Sequence, residues 1–301
     1  MILKQIYNIN PEDITDVYDV FIGVAGIEPR SYHLLMDKTF ANIAEKYYVI
    51  PYDGSPNFPP DYPKGKVEVV ENAHLLDNPI WGIVEDFLIK KPQKLKIVID
   101  YSSMTRVWYG SFLKSCQDYQ GKCTLEILFA YNMAEPESPS SKMDFDFSSM
   151  PGYLHINRPN KPVALIIGLG YEDGRAYSLK DYFDAEVIYL FRTSKSWSEQ
   201  YYQLVGKNNE HLLDRLPDDK VIEYSLDDVS AAYKKLEDLC YDLEQKYRII
   251  IAPCGPKPFT LITLLTFLRH KSVNVWRIKN IGDTPPKRPS DRTIFTSIIF
   301  K

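Results

Sequence analysis

"DVFIGVAGIEPRSYHLL", residues 19–35, and "VALIIGLGYEDGRAYSL", residues 163–179, follow one plan. Each is an apolar, β-rich run followed by Gly, Glu, Arg and Tyr in the same order. The matched residues are Gly26, Glu28, Arg30 and Tyr32 in the first copy and Gly170, Glu172, Arg175 and Tyr177 in the second, which carries one extra residue. The parallel continues in register. "KYYVIPY" (46–52) answers "AEVIYLF" (185–191), "KVEVV" (66–70) answers "KVIEY" (220–224), and "LKIVID" (95–100) answers "YRIIIA" (247–252). The helical runs at 78–91 and 231–246 correspond, with apolar residues at three- and four-residue steps. Next come "YSSMTR" (101–106) and "PCGPKP" (253–258), each leading into a helix, and last "CTLEILFAY" (123–131) and "VNVWRIKN" (273–280). Eight elements in one order predict an internal duplication.

Each copy reads β-α-β-β-α-β-α-β. The second has an extra helix at 196–216, where the first has only the Pro- and Gly-rich stretch 53–66. Strands alternating with helices, several apolar throughout, predict an α/β fold: two tandem domains, each with a parallel sheet covered on both faces. The Pro-, Ser- and Asn-rich stretch between the copies marks a boundary. The expected division is a first domain at 1–132, a linker at 133–160 and a second domain at 161–301. The alternating "TIFTSIIFK" (293–301) reads as a final strand.

The 301 residues suit about two domains. With 45% apolar and 25% charged residues the composition is that of an ordinary globular chain. A net charge of −4 argues against bulk binding of duplex DNA. Four cysteines without CxxC spacing predict neither a disulfide frame nor a zinc site, and no metal is expected. The N-terminus lacks the apolar core of a signal peptide, and no run has the length of a membrane span, so the expectation is a cytoplasmic protein without membrane contact.

In open α/β sheets, ligands bind beyond the carboxyl ends of the strands, where the strand order reverses. The first and fourth strands of each copy end in the polar signatures. Glycines there allow close backbone approach. Helix N-termini favour anions, phosphate above all. Arg30, Arg106, Arg175 and Lys257 could neutralise phosphate oxygens, and Tyr32 and Tyr177 could stack a base or donate a hydroxyl. Candidate ligand contacts are therefore Gly26, Glu28, Arg30, Tyr32, Asp100, Ser102, Ser103, Thr105, Arg106, Gly170, Glu172, Arg175, Tyr177, Cys254, Gly255 and Lys257. Structural alternatives stand beside these. Ser102, Ser103 and Thr105 suit a helix N-cap, Asp100 suits a turn, Cys254 suits packing, and each Glu–Arg couple could be an internal ion pair. Neither "GVAGIE" nor "GLGYEDG" is a dinucleotide fingerprint and no Walker A is present, so no NAD or ATP cofactor is expected.

Two Rossmann-like halves with polar motifs at the tips of strands one and four resemble CRISPR-associated Rossmann fold (CARF) domains. As a fused pair, they resemble the SAVED sensor domains of cyclic-oligonucleotide defence systems. "DYSSMTR" and "PCGPKP" look like that superfamily's fourth-strand motif, which ends in a basic residue, and "GIEPRSY" and "GYEDGRAY" like its first-strand loop. The resemblance implies binding of a phosphate-bearing nucleotide, with Arg106 and Lys257 on phosphates. Those families usually carry an attached effector. Here only a short tail follows, which implies an effector protein acting in trans or hydrolysis of the ligand by this chain. Two other classes stay open: a nucleotide-processing enzyme using Asp100, Ser103 or Glu172, and a non-catalytic partner protein of a defence complex.

Overall fold

The computed structural model describes residues 1–52, 58–72, 75–135, 145–155, 161–281 and 286–301. Within it the chain divides into two units. Unit 1 is Met1–Glu135 with Pro285–Lys301, and unit 2 is Pro136–Thr284.

Unit 1 contains β1 (Leu3–Ile9), β2 (Tyr18–Ala25), α1 (Arg30–Met36), β3 (Ala44–Pro51), β4 (Val67–Val69), α2 (Pro79–Lys90), β5 (Lys94–Asp100), α3 (Arg106–Asp118) and β6 (Thr124–Ala134). Unit 2 contains β7 (Phe145–Ser149), β8 (Val163–Gly168), α4 (Arg175–Phe183), β9 (Val187–Thr193), α5 (Glu199–Asn208), α6 (Glu210–Leu213), β10 (Val221–Tyr224), α7 (Val229–Leu243), β11 (Arg248–Pro253), α8 (Lys257–Arg269) and β12 (Val273–Asn280). The chain then returns to unit 1 as β13 (Pro289–Phe300).

Both sheets share a five-strand parallel core in the same order: β4-β3-β2-β5-β6 in unit 1 and β10-β9-β8-β11-β12 in unit 2. This is a Rossmann-like α/β fold in tandem. The central strands are buried on both faces; every residue of β8 is buried, as continuous apolar runs require. Strand order reverses between β2 and β5 in one sheet and between β8 and β11 in the other.

Register confirms the equivalence of the copies. Val20 lies opposite Ile97 and Ala164 opposite Ile249. Counting forward, Gly26 matches Gly170 and Glu28 matches Glu172. The extra residue of the second copy is absorbed at Asp173–Gly174, where Gly174 takes φ 78°, a left-handed conformation that suits glycine.

Two boundaries differ from the expected division. The C-terminal strand does not join the second domain. β13 inserts between β1 and β6, antiparallel to both. Its apolar residues Ile294, Phe295, Ile298 and Phe300 are buried, and Phe295 packs against Phe40 of unit 1 at 5.0 Å. The expected linker is not merely a connector either. Its residues 145–149 form β7, antiparallel to β12, while 136–144 and 156–160 lie outside the described residues. The segment after each fifth strand thus supplies the antiparallel neighbour of the other copy's fifth strand. Residues 53–57 of the Pro-rich loop also lie outside the described residues.

Candidate functional site

The loop after β2 is fastened at several points. Arg30, the first residue of α1, is only 4% exposed. Its guanidinium binds the Glu28 carboxylate, donates to the Asn132 carbonyl at 3.1 Å and lies 5.8 Å from the Tyr131 ring centroid. A buried guanidinium requires such partners. Tyr32 donates its hydroxyl to the Gly26 carbonyl at 2.7 Å. Its ring is covered edge-on by Tyr62 and Phe58.

The loop after β5 meets it. The hydroxyls of Ser31 and Ser103 are 2.6 Å apart, so the first- and fourth-strand loops are direct neighbours, as adjacent strands demand. Asp100, 3% exposed, accepts from the backbone N–H and the hydroxyl of Ser102 at 3.0 and 2.5 Å. The Ser102 oxygen in turn accepts from the Asn132 N–H at 2.7 Å. Thr105 occupies the N-cap of α3, but its side chain makes no capping bond. Ser103 is further held by Tyr52, at the end of β3. The Tyr52 hydroxyl donates to the Ser103 carbonyl at 2.6 Å, and its ring stacks on Trp108 at 5.0 Å. Burial, with the Glu28 carboxylate next, pushes the Tyr52 phenol up, so it remains the donor.

Unit 2 repeats the latch and changes the packing. Arg175, 8% exposed, pairs with Glu172 at 3.2 Å, donates to the Asn280 side chain at 2.6 Å and lies over Phe145. In both copies, therefore, the recurring Glu–Arg couple ties the first-strand loop to the end of the fifth strand. The glycines do different work from the close ligand approach expected of them. A Cβ on Gly170 would sit 2.3 Å from the Cys254 carbonyl oxygen, and one on Gly255 would sit 2.4 Å from the Leu169 carbonyl oxygen. These glycines let the two loops pack backbone against backbone. Cys254 is buried, with its sulfur 3.7 Å from the Ala252 carbonyl. Tyr177 departs from its counterpart: it is 40% exposed, with the Lys180 ammonium 5.3 Å from its ring.

Several residues that hold these loops are absent from the motifs. Asn209 donates to the Gly170 carbonyl at 2.9 Å and Asn208 to that of Tyr171. Both close the extra helix α5, so the inserted element clamps the loop. Tyr52, Asn132 and Asn280 come from second and fifth strands. Only the "NN" ending of the inserted helical run offered a signal, because adjacent asparagines suit a helix end.

The helix N-termini fall into two groups. α2, α5 and α7 are capped by Asn78, Ser198 and Asp228, whose side chains accept from the third residue on. α1, α3, α4 and α8 follow strands one and four, and none has a side-chain cap bond. Arg106 and Lys257 are the first residues of α3 and α8. Among the described residues, no group of three or more His, Cys, Asp or Glu is placed to hold a metal ion, and no helix is long and apolar enough to cross a membrane.

No family model and no curated protein matches the chain. Among solved structures it is similar to a putative universal stress protein from Pseudomonas aeruginosa UCBPP-PA14. The identity is 8% over 87% of this chain and 94% of the other, with a TM-score of 0.28, a likeness too loose to bear on function.

Proposed function

We propose that this chain binds a phosphate-bearing nucleotide at the strand tips where β2 meets β5 and β8 meets β11. The observation that carries this reading is the split in helix capping. At the ordinary helix starts of both units, a side chain occupies the backbone N–H groups. At the four starts flanking the points of strand reversal, none does. Such N–H groups, aligned with the helix dipole, are suited to an anion. A cation opens each fourth-strand helix, Arg106 in one and Lys257 in the other. The resemblance to CARF and SAVED domains narrows the ligand to a cyclic oligonucleotide second messenger of bacterial defence or stress signalling, with an effector protein acting in trans.

Calorimetric titration of ATP, cyclic di-AMP and cyclic tetra-adenylate tests this. One charged phosphate contact contributes about 1.5–3 kcal/mol, so Arg106→Ala and Lys257→Ala should each weaken binding roughly ten- to hundredfold. Both variants should melt near the wild-type temperature, because half-exposed residues at a helix start contribute little to the core. Equal binding by the variants would remove these residues from the site. No binding by the wild type would overturn the nucleotide reading in favour of a partner protein.

A further inference from the structure

We infer that Asn132, near the end of β6, is a positioning residue that couples the "DYSSMTR" loop of unit 1 to the start of β13; its relevance to ligand readout rests on the site proposed above. Asn132 is 1% exposed and makes bonds in two directions. Its main chain faces the tips. The last backbone rung between this loop and β6 is Tyr101 N–H to the Ala130 carbonyl at 3.1 Å. Beyond it the Asn132 N–H finds the Ser102 hydroxyl at 2.7 Å instead of a carbonyl, and the Asn132 carbonyl takes the Arg30 guanidinium at 3.1 Å. Ser102 passes the chain to Asp100, and Arg30 passes it to Glu28. One peptide unit thus reads both candidate loops.

The Asn132 side chain faces the other way. Its amide donates to the Ser290 and Arg292 carbonyls at 2.9 and 3.2 Å and to the Thr293 hydroxyl at 3.2 Å. These acceptors lie in an irregularity of β13. Pro289 pairs with Ala134 and Thr293 with Asn132, so β13 takes four steps where β6 takes two. A bulge of this kind leaves backbone groups outside the ladder, and here one side chain gathers them. The bulge opens the strand by which the chain re-enters unit 1 after leaving β12. A ligand that moves Ser102 or Arg30 moves the Asn132 peptide, and with it the side chain that pins the bulge. Buried groups of this sort cannot drop one partner without a cost, which makes the connection stiff.

Amide hydrogen exchange on the full chain, without ligand, decides the matter. Ser102→Ala should speed exchange across residues 286–294 about fivefold, the loss expected for one neutral hydrogen bond. Exchange in β3, residues 44–51, should not change, and Ser102→Thr, which keeps the oxygen, should restore the wild-type rate. Coupling is reciprocal. The mild variant Thr293→Val, which removes one acceptor, should therefore speed exchange at residues 102–108 about twofold even if Ser102→Ala folds poorly. Unchanged exchange at 286–294 in Ser102→Ala, or a uniform rise across unit 1, overturns the coupling. ATP serves as the probe in a second arm. It should slow exchange at 286–294 in the wild type and not in Ser102→Ala. If ATP and the cyclic nucleotides alter no segment, the nucleotide reading fails, and the ligand-free comparison still decides the role of Asn132.

Discussion

The tips of the two units solve one problem in two ways. Both must hold the first-strand loop against the fourth-strand loop, and both use a buried arginine paired with a glutamate two or three positions before it. Beyond that latch they diverge. Unit 1 joins its loops through hydroxyls: Ser31 to Ser103, Tyr52 to the Ser103 carbonyl, Tyr32 to the Gly26 carbonyl. Unit 2 presses backbone on backbone at Gly170 and Gly255 and adds the asparagines of α5 from outside. Side-chain hydrogen bonds can be lost one at a time, each at modest cost. Backbone packing at glycine has no such tolerance, since an added carbon has nowhere to go. The first tip can therefore adjust to a ligand stepwise, whereas the second is rigid.

The largest expected effect sets equivalent glycines against each other. Gly170→Ala places a methyl group 2.3 Å from a backbone oxygen and 2.7 Å from a Glu172 carboxylate oxygen, so the loops must separate. Overpacking of this kind costs about 2–3 kcal/mol. Gly26→Ala meets only the edge of the Tyr52 ring at 3.0 Å, which can shift, and should cost less than about 1 kcal/mol. Denaturant unfolding of both variants measures the difference. Equal costs would show that the two tips are packed alike.

A second contrast lies at the far end of unit 2. His270, which ends α8, sits between two carboxylates of α7 and the turn after it. Its Nδ1 is 2.9 Å from Glu244 and its Nε2 3.4 Å from Glu237, while Arg269 reaches Glu237 at 3.3 Å. Hydrogen bonding to Glu237, opposed by burial and aided by Glu244, raises the imidazole above its ordinary 6.5. A folded-state value above the unfolded one stabilises the fold through the protonated form. That contribution is complete below about pH 6.5 and disappears as pH rises through the folded value. Among the described residues, no histidine of unit 1 sits in such a clasp. Melting of the wild type should thus lose a component between pH 6 and pH 9 that His270→Gln lacks. Parallel pH profiles for the two proteins would remove His270 from this role.

Much of the fold was legible because strand order in a parallel α/β unit follows from alternation. Apolar runs such as "LKIVID" and "YRIIIA" can only be central strands, and their helices fix the crossovers. Edge strands carried no such information. β1, "LKQIYNI", is half exposed and reads as neither strand nor helix by period. β13 alternates clearly, but alternation names a strand and not its partner. Burying Ile294, Phe295, Ile298 and Phe300 beside β6 outweighed proximity in sequence. β7 was hidden in the Pro- and Ser-rich stretch. At the site, the repeated Glu and Arg were visible as a pair, since recurrence at fixed spacing is a local signal. Asn132, Asn209 and Tyr52 were not, because each reaches the loop from another strand or helix, a relation that tertiary structure alone supplies.

The smallest expected effect concerns the tyrosines that close the two motifs. Tyr32 and Tyr177 occupy equivalent sequence positions, but only Tyr32 is buried, with its hydroxyl on the Gly26 carbonyl at 2.7 Å. Tyr32→Phe leaves that carbonyl without its donor and should cost about 1 kcal/mol, seen as a lower denaturation midpoint at constant slope. Tyr177→Phe removes a hydroxyl from a side chain 40% exposed on α4 and should stay within about 0.5 kcal/mol of the wild type. The pair separates stability from binding. A hydroxyl that does not hold the fold remains available to a ligand, so under the nucleotide reading Tyr177→Phe should weaken nucleotide binding more than it weakens the protein. Tyr32→Phe should do the reverse. Identical stability losses in the two variants would mean that Tyr177, like Tyr32, closes its own loop, and the contrast between an adjustable and a rigid tip would lose one of its supports.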